Sequence, residues 1–159
     1  MSAERFELAR FEITLGQHDP ASLRRALAEA GVLQNAYANR LFDEGHVVPS
    51  PRRVVEVVVT NPAQLGAPEG ETLDALLVRA REVGLVPGPL ELAAYLRLTW
   101  PDQPSVPRVT VASLRPTLEE TAPRGFYLRR DDEGTWLRGY VASDDWIFEP
   151  TEGLAFVRT

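Results

Sequence analysis

The sequence predicts an α+β fold in which two helical hairpins pack on a mostly antiparallel sheet. Three observations point to it: apolar residues at helical spacing between capping residues and glycines, a β-branched run near residue 55, and short aromatic-rich runs beyond residue 100. The 159 residues read as a single domain. A division into a strand plus αα-hairpin (1–50) and an α+β part (51–159) is the alternative.

Residues 5–15 (RFELARFEITL) alternate apolar and polar at Phe6, Leu8, Phe11, Ile13 and Leu15 with one phase adjustment, the pattern of a strand. Asp19 then supplies an N-cap oxygen and Pro20 a first helical position, and the stripe Leu23, Ala26, Leu27 and Ala30 runs to a stop at Gly31. A second helix is expected over 33–44, striped by Leu33, Tyr37 and Leu41 and ended by Gly45, so that the two make an αα-hairpin. Residues 52–60 (RRVVEVVVT) are too apolar on both faces for an edge strand and belong at the centre of a sheet. NPAQLGAPEGE is a loop by its prolines and glycines. Thr72 caps a third helix, with Leu73, Leu76, Leu77, Ala80 and Val83 inward and Gly84 closing it. The turn VPGP leads into a fourth helix near 90–97, whose apolar members are Leu90, Ala93, Ala94 and Leu96. Beyond WPDQPSVP come RVTVASL, GFYLRR, TWLRGYV, WIFE and GLAFVR, expected as a small antiparallel sheet. Its clearest hairpin turns through Asp131, Asp132, Glu133 and Gly134.

Composition removes whole classes of chemistry. All 17 basic residues are arginine, and the chain has neither lysine nor cysteine. Schiff-base and P-loop chemistry need a lysine amine, and thiol catalysis, disulfides and cysteine-bound zinc need thiols. Neither His18 nor His46 stands in an HEXXH spacing, and no serine lies in a GxSxG elbow, so both histidines read as surface or capping residues. A net charge of −6 opposes a phosphate backbone, and nucleic acid is not an expected partner. No run reaches the roughly 18 apolar residues of a membrane span. The charged start MSAERFELARF lacks the apolar stretch of a signal peptide, and the chain reads as cytoplasmic.

Val54 to Gly66, a helix over 72–83, Gly84-Leu85 with Pro87, Leu96-Arg97-Leu98, Asp102-Gln103-Pro104, and Trp136-Leu137 through Trp146 to Phe156-Val157 follow one another in the order seen in a family of uncharacterised bacterial proteins. The chain resembles that family over nearly its whole length, since the TLG turn and LRRAL helix near the start are similar too, and the resemblance implies no assigned activity. The C-terminal two thirds also distantly resemble the C-type lectin-like fold, whose G-x-L-P turn between two helices is matched by Gly84, Leu85 and Pro87. Residues 54–159 lack the disulfide pairs, the EPN or QPD tripeptide and the WND of that fold, so the likeness implies no calcium-dependent sugar binding.

The candidate site is the C-terminal sheet and its loops. Trp136, Arg138 and Tyr140 lie two apart and so share one face, beside a loop carrying Asp144, Asp145 and Trp146. Two readings are open for that row: a recognition surface of aromatics and arginine, or a core layer from which only Arg138 reaches water. Asp102 and Gln103, held between prolines, are either a preordered recognition loop or a crossover linker, and Arg97, if buried, needs a carboxylate that Asp102 is placed to supply. Asp131, Asp132, Glu133, Asp144, Asp145, Glu149 and Glu152 crowd the tail without EF-hand spacing. The expectation is a binding module with no cofactor, no catalytic residue and no metal, which meets a protein or peptide partner through its C-terminal sheet. A hydrolase using those carboxylates and a divalent metal on a glycan or phosphoester is the competing expectation.

Overall fold

The computed structural model describes residues 7–159, so Phe6 of the first expected strand lies outside the described residues. In chain order the elements are β1 (Ala9–Leu15), α1 (Pro20–Glu29), β2 (Leu33–Gln34), α2 (Ala36–Asp43), β3 (Arg53–Thr60), β4 (Glu71–Thr72), α3 (Leu73–Glu82), β5 (Leu85–Val86), α4 (Glu91–Thr99), β6 (Val109–Val111), β7 (Gly125–Asp131), β8 (Gly134–Tyr140), β9 (Ile147–Phe148) and β10 (Gly153–Arg158). The fold is mixed α and β, with a large, mostly antiparallel sheet ordered β1-β3-β10-β6-β7-β8-β2. Only the β10–β6 and β2–β8 pairings are parallel. β5 joins the far end of β10 beyond β6, and β4 with β9 makes a separate two-stranded sheet.

Local chemistry places most of these elements as expected. The Asp19 side chain accepts from Ser22 N and Thr72 accepts from Ala75 N, and each caps its helix. β3 is a central strand, flanked by β1 and β10. The second helix departs from its expected bounds. Leu33 and Gln34 leave the helical path to pair with Trp136 and Leu137 of β8, Asn35 becomes the cap, and α2 begins at Ala36. Its buried face is then Ala38, Leu41 and Phe42, while Tyr37 is turned outward at 42% exposure.

Two further expectations are corrected. The runs beyond residue 100 do not form a sheet of their own, because β10 inserts between β3 and β6 and welds them to the strands of the first half. Nor do α3 and α4 form a hairpin on one face. Strand alternation splits the core into two clusters: Val57, Val59, Ala155, Val109, Phe126, Leu128 and Leu137 face α1, α2 and α4, whereas Val58, Leu154 and Phe156 face α3. The turn between α3 and α4 therefore carries the chain from one side of the sheet to the other.

α4 is buried on every side from Glu91 to Arg97. It packs against β1 near one edge of the sheet and against β7 and β8 toward the other, so the sheet curls around it. Leu92, Ala93, Ala94 and Leu96 suit that position. Arg97 does not, and it is 1% exposed. Its two terminal nitrogens are bonded without any carboxylate, donating to Gln103 Oε1 (2.6 Å), to the carbonyls of Trp136 (3.3 Å) and Arg129 (3.4 Å), and to Trp100 O at the end of its own helix, while Nε is buried without an acceptor. The expected pairing with Asp102 is not made, and Asp102 lies exposed in the turn. Burial, with Arg130 nearby, pulls the Arg97 pKa down to about 10.

Candidate functional site

α3 packs on the second face of the sheet, in a cluster with Val58, Leu154 and Phe156 that Ala112 and Phe148 join and against which Tyr140 of β8 packs. The side chains there follow from register. Tyr127 is opposite both Thr110 and Arg138, Arg129 is opposite Trp136, and Gly125 is opposite Tyr140, while the alternate residues Phe126, Leu128 and Leu137 point into the helical core. Register divides this row: Leu137 points into the helical core, and Trp136, Arg138 and Tyr140 share the other face, where Tyr140 packs against the cluster that holds α3.

Trp136 holds Arg138 in place. The guanidinium carbon lies 4.8 Å from the Trp136 ring centroid and 6.0 Å from that of Tyr127. The Trp136 indole donates to Asp131 Oδ1 at 3.0 Å, which fixes the ring against its own hairpin turn. Partial burial works to raise the Asp131 carboxyl, but the bonds from the Trp136 indole and the Glu133 backbone hold it below its usual value. Arg108 also lies over the Tyr127 ring, at 5.5 Å, and is engaged by Glu152. Arg138 has no acidic partner among the described residues, and its Nε is buried without a hydrogen-bond acceptor.

Beside Arg138 is a cavity of about 300 Å³. Tyr127 and Tyr140 floor it, Tyr37 and Asn35 come in from α2, and Trp146, 51% exposed, forms its rim. Asn35 is the joint that brings α2 there: its Oδ1 accepts from Gly139 N (2.8 Å) and Ala38 N (2.9 Å) while its Nδ2 donates to Gly139 O (2.9 Å). Gly139 has to be glycine, since a Cβ would come within 2.6 Å of the Tyr37 and Ala38 backbone. Tyr140 packs edge-on to Phe148 and tilted to Tyr127. Burial pushes its phenol up to about 12, against the pull of Arg124 and Arg115.

The other expected site residues are placed differently. Asp144 is held by Arg115 and by the buried Arg124 (3.2 Å), which also reaches Asp74 of α3 (3.4 Å), so this carboxylate pins the loop rather than lining the cavity. Asp145 accepts from Ser143 Oγ at 2.5 Å, and that bond lowers its carboxyl. Gln103 is 0% exposed, its Oε1 taken by Arg97 and its Nε2 donating to Leu128 O (3.1 Å). That is the linker reading of the Asp102–Gln103 loop. Asn35, Tyr37, Arg108 and Tyr127 belong to the site and were not foreseen. Only Tyr127 left a sequence signal, the polar-tipped residue between the apolar Phe126 and Leu128. No three His, Asp or Glu side chains gather closely enough to hold a metal ion among the described residues, and no helix there is long and apolar enough to cross a membrane. No family model, curated protein or solved structure matches the chain.

Proposed function

We propose that this chain is a binding module that recognises a protein or peptide partner through the face of β7 and β8 that carries Trp136, Arg138 and Tyr140. The observation that carries the reading is Arg138, a guanidinium stacked on Trp136 beside an aromatic cavity and without an acidic partner among the described residues. Aromatics and arginine give large contact area with few rotors to freeze, which is why they dominate interface hot spots. The exposed Trp146 and Ile147 at the rim extend the apolar surface beyond the cavity. A C-type lectin-like relationship belongs to the same proposal, supported by the mostly antiparallel sheet and by the Gly84 to Pro87 segment between α3 and α4, although Leu85 and Val86 there form β5.

Affinity capture on the immobilised protein tests the reading, with Arg138→Ala and Trp146→Ala run beside the wild type. Each substitution is expected to weaken partner binding by about 2 kcal/mol or more while the melting temperature barely moves. Partners retained equally by both variants place the interface elsewhere.

A further inference from the structure

In a chain of 23 acidic residues, no acid among the described residues lines the cavity beside Arg138, whereas two arginines do. Against a net charge of −6 this is a local reversal of sign, and a concave, low-dielectric wall concentrates it. Of the two cations, Arg108 is already taken by Glu152. Arg138 therefore offers the one uncommitted guanidinium of the cavity, a planar fork that fits a single carboxylate in two parallel hydrogen bonds. A phosphate dianion asks for more positive charge than this. Five aromatic residues, Tyr37, Tyr127, Tyr140, Trp146 and Phe148, make up much of the remaining wall. A volume of about 300 Å³ is at the lower end of ligand pockets and admits one residue-sized group.

We propose that this cavity is a carboxylate site that takes the C-terminal residue of a peptide, with the free carboxylate on Arg138 and an aromatic or branched apolar side chain against Tyr127, Tyr140 and Trp146. The assignment rests on the reading of this face as a partner surface and names what that face selects. The Tyr140 phenol remains protonated at neutral pH and adds no negative charge to the wall. Stacking on Trp136 fixes the guanidinium before the ligand arrives, so little rotamer freedom is lost on binding.

The test uses the whole chain labelled with 15N and three probes: N-acetyl-L-phenylalanine, its neutral amide, and inorganic phosphate. The acid is expected to shift the Gly139 and Tyr140 amides and the Trp146 indole in a saturable way, with a Kd on the order of millimolar for so small a ligand. The amide should bind at least about tenfold more weakly, because a charge-assisted bond is lost. Phosphate should produce no saturable shift at these groups. Arg138→Gln should bring the acid down to the affinity of the amide and leave the amide unchanged, which separates lost recognition from a misfolded site. Equal binding of acid and amide, tighter binding of phosphate, or no saturable shift with the acid overturns the assignment. Partner capture that depends on Arg138 while the acid fails to bind removes the carboxylate site and keeps the partner surface; acid binding with capture unaffected does the reverse.

Discussion

The guanidinium of Arg97 donates to Oε1 of Gln103 at 2.6 Å, and the amide of Gln103 donates onward to Leu128 O at 3.1 Å. A buried cation at the centre of the fold is thus solvated by an amide and three main-chain carbonyls instead of an acid. Because those carbonyls belong to α4, β7 and β8, the same contacts fasten the hairpin that carries Trp136 and Arg138 to the central helix.

Gln103→Ala is expected to cost about 1–3 kcal/mol, since it leaves a buried donor and a buried acceptor short of partners. Arg97→Ala should cost more, about 3–5 kcal/mol, as three buried carbonyls lose their donor together. In the double variant the effects should fall short of additive by more than about 0.5 kcal/mol. Urea denaturation of the four proteins checks this; simple additivity means that the two side chains act independently.

On α3 the structure separates two neighbouring leucines. Leu76 is fully buried, whereas Leu77 is only partly so. Leu76→Ala should destabilise by about 2–5 kcal/mol, and Leu77→Ala by clearly less. The same denaturation curves decide it, and a reversed order shows that the helix is rotated about its axis.

Gly139→Ala tests the joint between α2 and β8. The new methyl meets the Tyr37 and Ala38 backbone at 2.6 Å, and overpacking of this kind costs about 1–3 kcal/mol. Because α2 has to retreat, the Tyr37 wall of the cavity should move with it, and the Tyr37 amide resonance reports that shift. An unchanged Tyr37 resonance and wild-type stability contradict the close approach.

Tyr140 gives a pH dependence with a definite sign. Its phenol titrates at about 12 when folded, against about 10 in an unfolded chain, so the folded state holds the proton more tightly between those values. The associated stability is complete below about pH 10 and is lost as the pH rises through about 12. Tyr140→Phe should flatten the fall of the urea midpoint over that range. Some slope should remain, because burial also raises the Tyr95 phenol and, with the opposite sign, lowers Arg97 to about 10. Identical slopes for wild type and Tyr140→Phe mean that the phenol is open to water.

What was legible in the sequence was local. Asp19 and Thr72 announced their helices because a cap is chemistry within four residues, and 52–60 announced a central strand because both its faces are apolar. The period-two row Trp136, Arg138 and Tyr140 was legible for the same reason. Leu33 misled because its fate is decided by Trp136, about a hundred residues away, and a two-residue parallel pairing leaves no trace in periodicity. Arg97 showed that it needed partners, but nothing in spacing distinguishes a carboxylate at 102 from an amide at 103. A quarter of the cavity-lining residues, Asn35, Tyr37 and Arg108, is brought there by tertiary packing alone.

The insertion of β10 between β3 and β6 has a consequence for synthesis. Translation at about 5–20 residues per second delivers both neighbours well before the strand that joins them, so β3 and β6 each wait with an open row of N–H and C=O groups. The nascent chain is thus most prone to self-association just before residues 153–158 leave the ribosome, and the step that closes the molecule is long-range pairing, the slow kind.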